Sequence, residues 1–133
     1  HDEDSALLDP LRARIRGQRG RHKTHGPDYL AYTVLDVVVD AYFVALEAVA
    51  QCIDDTEERI FGDPDPAVME SLHEIRHELI AVRRAVRPMR DVINELERDD
   101  TPYVSDATRV YLRDCYDHAL EAVELLEVYR DLV

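Results

Sequence analysis

The sequence predicts an all-α fold of long antiparallel helices, a three-helix coiled-coil-like bundle preceded by a short N-terminal helix. Three long segments repeat apolar residues at alternating spacings of three and four, which is the period of an amphipathic helix. Short breaks rich in Gly, Pro and Asp separate them. Each stripe persists over about four heptads, so we expect helices that wind around one another.

The first long segment begins near Asp28, a candidate N-cap, and is stopped by residues 62–64. Thr56 is the only interruption of its apolar stripe. At about 1.5 Å per residue this helix spans ~50 Å. The stripe consists of Tyr32, Leu35, Val39, Tyr42, Leu46, Val49, Ile53 and Ile60.

Two further helices follow. Asp65 and Pro66 give the cap-then-proline order of a helix start, and Pro88 lies inside the second stripe, where it is expected to kink the helix. Ser105 caps the third helix, whose pattern reaches Val133 undiminished, so we expect the natural chain to continue. The second stripe comprises Leu72, Ile75, Leu79, Val82, Val86, Met89, Ile93 and Leu96, and the third Leu112, Cys115, Ala119, Ala122, Leu126, Tyr129 and Val133.

The composition is strongly acidic. The 133 residues include 29 Asp and Glu against 16 Lys and Arg, which gives a formal net charge of -13, and Lys23 is the only lysine. This charge disfavours nucleic acid and anionic lipid and favours cations. It also suggests a salt-adapted source organism, and an ordinary acidic surface is the alternative; refolding in molar salt separates the two. Cys52 and Cys115 form no disulfide framework or metal motif, which fits a reducing cytoplasm.

Residues 1–27 differ from the rest of the chain. An amphipathic stretch around Leu8 and Leu11 leads into a basic run from Arg12 to His25, which glycines divide into a linker. A nucleic-acid-binding arm is the alternative, but interleaved aromatic residues are missing from the run. No window of this sequence approaches the roughly 20 apolar residues that cross a bilayer.

The string His73-Glu74-Ile75-Arg76-His77 matches the H-E-x-x-H pattern of zinc proteases. Two histidines four apart share a helix face, and the glutamate could act as a base. The apolar stripe turns both histidines toward solvent, however, and no strand is available to line a substrate cleft. We therefore interpret the string as helix surface and predict that the protein is not an enzyme.

Two other pairs could bind a divalent cation. Asp114 and His118 lie one turn apart on the third helix, and Asp36 and Asp40 lie one turn apart on the first. A carboxylate with an imidazole, or two carboxylates, can share one ion. Either pair could equally be solvated surface charge, and spacing alone does not decide.

Three stretches of the sequence form a recognisable combination. They are YLAYTVLDVVVDAYF (Tyr29 to Phe43), LIAVRRAVRPMRDVINEL (Leu79 to Leu96) and YLRDCYDHALEAVELLEVYRDLV (Tyr111 to Val133). The most specific parts are the arginines and proline of Arg84 to Arg90 and the YLRDxYDH string from Tyr111 to His118. Together these stretches resemble the CorA family of magnesium and cobalt channels. Arg87 departs from the family, which has a large aromatic residue before this proline.

The resemblance implies a homopentameric channel of the inner (plasma) membrane. Residues 1–27 would be the tail of an absent cytoplasmic α/β domain, and residues 28–133 the helical funnel and stalk, cut before the first transmembrane helix. The implied role is cytoplasmic metal sensing and gating in Mg²⁺ or Co²⁺ transport, although some relatives carry zinc.

The resemblance also implies a regulatory metal site between subunits. Asp114 corresponds to the family's carboxylate in the YLRD motif, and Asp36 to a second carboxylate. His118, one turn from Asp114, is an added ligand suited to Co²⁺, while Mg²⁺ would use the carboxylates and water. A stand-alone helical adaptor is the alternative function, with a zinc hydrolase at His73, Glu74 and His77 ranked last.

Overall fold

Four α-helices make up the described part of the chain. The computed structural model describes residues 2–17, 26–62, 65–98 and 101–133, with side chains from residue 8 onward. Within these ranges there is no β-strand, so the all-α prediction is confirmed. Most of the predicted basic linker, residues 18–25, lies outside them. The helices are α1 (Asp2–Gly17), α2 (Pro27–Phe61), α3 (Pro66–Glu97) and α4 (Asp106–Leu132).

Two apolar clusters define the helix directions. One joins the first half of α2 to the end of α3 and the first half of α4, and the other joins the second half of α2 to the start of α3 and the second half of α4. Consequently α3 runs antiparallel to both neighbours, and α2 and α4 run parallel. The first cluster contains Tyr29, Tyr32, Val39, Ile93, Val104, Leu112, Cys115 and Ala119; the second contains Leu46, Val49, Ile53, Ile75, Leu79, Val86, Ala122 and Leu126.

The predicted seams are largely the buried faces, with two differences on α2. Ile60 is 44% exposed, and Thr56 is buried. The Thr56 hydroxyl donates to the Cys52 carbonyl at 2.7 Å, which satisfies the polar group inside the helix. The predictions that Ile60 belongs to the seam and that Thr56 interrupts it were therefore wrong. A straight helix drifts by about 20° per heptad, which carries the last predicted position off the seam.

Side-chain caps begin α3 and α4 as predicted. The Asp65 carboxylate accepts from the Ala67 N–H at 3.2 Å, and the Ser105 hydroxyl accepts from the Thr108 N–H at 3.3 Å. These contacts satisfy amide groups that a helix start leaves without intrahelical partners. Helix α3 continues through Pro88 to Glu97, although this proline has no N–H to donate.

Asp28 is not the N-cap of α2, contrary to the prediction. Gly26 is the N-cap, and Pro27 takes the first helical position, so Asp28 lies within the first turn. Its carboxylate accepts from the Tyr29 N–H at 2.9 Å and from the Ser105 N–H at 2.9 Å. Asp28 therefore ties the start of α2 to the start of α4, 77 residues along the chain.

We expect the Asp28 contact to make stability depend on pH. Burial raises the pKa of this carboxyl, but hydrogen bonds from Ser105, Thr108 and Tyr29 outweigh it and lower the pKa below its ordinary value of 3.8. A lowered folded-state pKa stabilises the fold above that ordinary value, and the stabilisation is lost as the pH falls through the folded-state pKa. Asp28→Ala should cost about 1 kcal/mol at pH 7.

Urea unfolding of the wild type and of Asp28→Ala from pH 7 to pH 2 tests this expectation. The difference between wild type and Asp28→Ala should shrink below pH ~4. Asp54→Ala, an exposed carboxylate on the same helix, is the control and should show no such convergence. A difference that stays constant across the range would contradict the assigned role of the Asp28 charge.

Candidate metal site

Three possible metal ligands converge between α2 and α4. Asp36 and Asp40 lie one turn apart on α2, and His118 faces them from α4. One ligand atom of each lies within 4.8 Å of the others. The His118 Nδ1 lies 3.6 Å from an Asp40 carboxylate oxygen. The two carboxylates share a helix face because of their i, i+4 spacing, and the parallel course of α2 and α4 brings the histidine to the same level.

The ring of His118 is held in place by Phe43, which is also on α2. The two rings stack with centroids 4.2 Å apart and an interplanar angle of 14°. Stacking on a fixed aromatic face restricts the imidazole and directs its nitrogen-bearing edge toward Asp40. A ligand fixed before binding loses less conformational entropy when the ion arrives.

Negative charge accumulates at this site. The pKa of Asp40 is raised, first by burial and next by the charge of Asp36, while His118 and Arg14 act in the opposite direction. Burial, followed by the charges of Asp36 and Asp40, raises the pKa of the Cys115 thiol to about 12. Cys115 is therefore a protonated core side chain at neutral pH in the ion-free chain. The three groups that converge offer oxygen and imidazole donors.

Arg14 of α1 is a cation within the structure that contacts this cluster. Its guanidinium donates to the Asp36 carboxylate and forms an ion pair with it. It also donates to the Tyr32 hydroxyl at 3.4 Å, and its central carbon lies 5.7 Å from the centre of the Tyr32 ring. Both charged side chains are about three-quarters or more shielded from solvent.

The donor set suits a small divalent cation. Ligand atoms around an ion at about 2.1 Å lie roughly 3 Å apart when adjacent and about 4.2 Å apart when opposite. At most one of the three pairs can be opposite, so ligand atoms up to 4.8 Å apart would have to approach one another by as much as about 1.8 Å. Mg²⁺ would use the two carboxylates and keep several waters, whereas Co²⁺ also accepts the imidazole. The residues present fit either ion.

The predicted ligands divide into two groups. Asp36 and His118 come together, and Asp40, which the sequence analysis paired with Asp36 as either metal ligands or surface charge, completes the cluster. Asp114 is exposed one turn before His118 and is not one of the three converging groups. Its role as a ligand stays a prediction.

The H-E-x-x-H string lies elsewhere. His73, Glu74 and His77 are exposed on α3, as their positions outside the seam predicted. The two imidazole rings are 5.7 Å apart in an edge-on arrangement. In the described part of the chain, these residues do not form a three-ligand group.

A bundle of long helices that brings two carboxylates and an imidazole together between two of them defines an all-helical protein with a candidate cation site. The CorA-like Mg²⁺ transporter protein family model matches residues 1–133. The chain belongs to this family. Among the helices of the described ranges, none combines the length and apolar character needed to cross a membrane.

Two curated relatives agree with this assignment. The chain is 36% identical over 127 residues to the cobalt/magnesium transport protein CorA of Thermotoga maritima, covering 96% of this chain and 36% of that protein. It is 29% identical over 107 residues to YfjQ of Bacillus subtilis, whose name assigns it provisionally to metal ion transport, covering 80% of this chain and 34% of that protein. The chain thus spans about a third of the length of both relatives.

Proposed function

We propose that this chain is the cytoplasmic metal-sensing segment of a CorA-like channel for Mg²⁺ or Co²⁺, and that it takes part in gating. The observation that carries the proposal is the convergence of Asp36, Asp40 and His118 between two helices. Membership of the transporter family and the name of the Thermotoga relative support the choice of ions.

In this proposal an ion held by Asp36 and Asp40 of α2 would join α2 to α4 through His118, the one ligand on α4. Co²⁺ would bind the imidazole directly, whereas Mg²⁺ would reach it through a water of its own shell. An occupied site would therefore favour one relative position of the two helices, and an empty site would favour others. A ligand that binds one arrangement better than another shifts the population toward it, which is the physical requirement for gating.

The parent protein is proposed to be a homo-oligomer, a pentamer by family resemblance, that meets the membrane through segments outside this sequence. Large apolar side chains exposed on α2 support a partner surface, because such residues gain stability when covered. They include Leu30, Val34 and Val44. Exposed Asp114 would be the ligand available to an ion shared between neighbouring subunits, and nucleic acid is not an expected partner.

Calorimetric titration of this chain with Mg²⁺ and with Co²⁺ tests the site. Asp36→Asn and Asp40→Asn should each weaken both ions at least about tenfold, because changing even the surroundings of a ligand costs ten- to a hundredfold. His118→Gln should weaken Co²⁺ by a similar factor and leave Mg²⁺ nearly unchanged, since Mg²⁺ prefers oxygen donors.

Two controls accompany these variants. Asp54→Asn removes the same charge from an exposed position on α2, and His73→Gln with His77→Gln removes the exposed histidine pair of α3. Both should leave the affinities unchanged. If Asp36→Asn and Asp40→Asn bind both ions as the wild type does, the site assignment is wrong.

In the full-length protein, Asp114→Ala should weaken closure by Mg²⁺.

A further inference from the structure

The positively charged side chain of Arg14 contacts the candidate metal site. Its guanidinium pairs with Asp36, one of the two carboxylates of the cluster. The charge of Arg14 also reaches Asp40, where it opposes the effect of Asp36 on that carboxyl. The Arg14 hydrogen bond occupies Oδ2 of Asp36, so a divalent ion at the cluster would have to displace Arg14 to use that oxygen, or bind Oδ1 beside a guanidinium charge that repels it.

Geometry distinguishes Arg14 from the other arginines of α1. Arg12 pairs with Asp9 within α1 at 3.6 Å, and Arg16 is exposed. Arg14 instead reaches across to α2, where Tyr32 supports it through a hydrogen bond at 3.4 Å and a ring face. The Tyr32 and Asp36 side chains lie one turn apart on α2, so together they form a seat for one guanidinium.

We propose that Arg14 is a tethered competitor of the metal ion: its guanidinium holds Asp36 in the ion-free chain, and a divalent cation displaces it and releases α1 from α2. The inference rests on the proposed function, since it needs the ion to bind at Asp36. It adds that ion binding would change the attachment of α1, the helix that precedes the three-helix bundle.

The competition has a definite sign. A paired Arg14 occupies one oxygen of Asp36 and its charge repels a divalent ion, so the ion binds more readily to chains in which the pair is broken, and its apparent affinity falls with the fraction of such chains. A partly shielded ion pair of this kind favours the paired state by roughly two- to fivefold. Removing Arg14 should therefore tighten ion binding by about two- to fivefold, the opposite of removing a ligand.

The test compares Arg14→Gln with Arg12→Gln in titrations of this chain with Mg²⁺ and with Co²⁺. Both variants remove one positive charge from α1, but only the first removes the contact with Asp36. We expect Arg14→Gln to bind both ions about two- to fivefold more tightly and Arg12→Gln to bind them as the wild type does. Equal tightening in both would reduce the effect to net charge and overturn the proposal, as would no tightening in Arg14→Gln.

Hydrogen exchange of the α1 amides provides a second readout that needs no Arg14 variant. In the wild type, saturating Co²⁺ should speed exchange in residues 8–17, and the double variant Asp36→Asn, Asp40→Asn should show no response to the ion. Unchanged or slower exchange in the wild type on ion binding would overturn the proposal even if Arg14→Gln did not fold.

The two proposals fail in different ways. If Asp36→Asn, Asp40→Asn and His118→Gln all bind the ions normally, the metal site itself is wrong. If those variants weaken binding while Arg14→Gln fails to tighten it and α1 does not respond, the site stands and only the competition by Arg14 is wrong.

Discussion

Replacing Ile93 by alanine should lower the free energy of unfolding by about 3 kcal/mol, within the roughly 2–5 kcal/mol typical of removing a buried isoleucine side chain. Ile93 is 0% exposed and lies in the apolar cluster where all three long helices meet. Val39 of α2 and Leu112 of α4 belong to the same cluster. Long helices give neighbouring side chains little freedom to move into the space left behind, so most of the cavity should persist.

Urea unfolding followed by circular dichroism measures this loss. The control is Ile80→Ala, the same change on the same helix at a position that is 49% exposed. It removes much less buried area and should cost under about 1 kcal/mol. Equal losses for the two variants would mean that the first apolar cluster does not stabilise the bundle as described.

Arg109→Met should cost about 2–3 kcal/mol, because it removes a charged donor from a buried position. The guanidinium of Arg109 donates to the backbone carbonyls of Thr101 at 3.0 Å and Val104 at 3.2 Å. Arg109 is only 7% exposed. Methionine fills similar space without a donor, so the connection between α3 and α4 would lose these hydrogen bonds while its packing largely remains.

Two control variants accompany Arg109→Met: one removes the ion-pair partner of Arg109, and the other breaks a different ion pair nearby. Asp106, which accepts from the same guanidinium at 2.8 Å, has a fully exposed side chain, so Asp106→Asn should change stability little. Arg113→Met, one turn later, breaks an exposed pair with Glu97 and should cost under about 0.5 kcal/mol. In thermal unfolding of the three variants, Arg109→Met should have by far the lowest midpoint temperature. A loss of stability in Asp106→Asn as large as in Arg109→Met would contradict the role assigned to the carbonyl contacts.

The sequence contained most of the information about the fold. Periodicity predicted the buried faces because a long helix must bury one stripe, and the breaks at Asp65 and Ser105 carried their own capping chemistry. One error came from a contact between distant residues and another from a hydrogen bond within a single helix. Asp28 looked like a local cap because its partner, the Ser105 N–H, is 77 residues away. Thr56 looked like an interruption because its internal hydrogen bond is invisible in an apolar pattern.

The candidate site was only half predictable for the same reason. Spacing on one helix could pair Asp36 with Asp40 and Asp114 with His118. Which pair members meet across the bundle depends on the relative register of α2 and α4, and an apolar stripe does not specify this to within one turn. The contact between Arg14 and Asp36 depended on how α1 docks, for which the short stripe around Leu8 and Leu11 gave no direction.

The buried face of α4 carries small residues at the level of Asp36, Asp40 and His118. Cys115 and Ala119, which flank His118 along the chain, are both 1% exposed and share a core cluster with Val39, which directly precedes Asp40. Side-chain volume at these positions sets how far apart the backbones of α2 and α4 stand, independently of any charge. The width of the gap that an ion would enter is therefore set by the volumes of these core side chains. The carboxylates and the imidazole line the gap but do not determine its width.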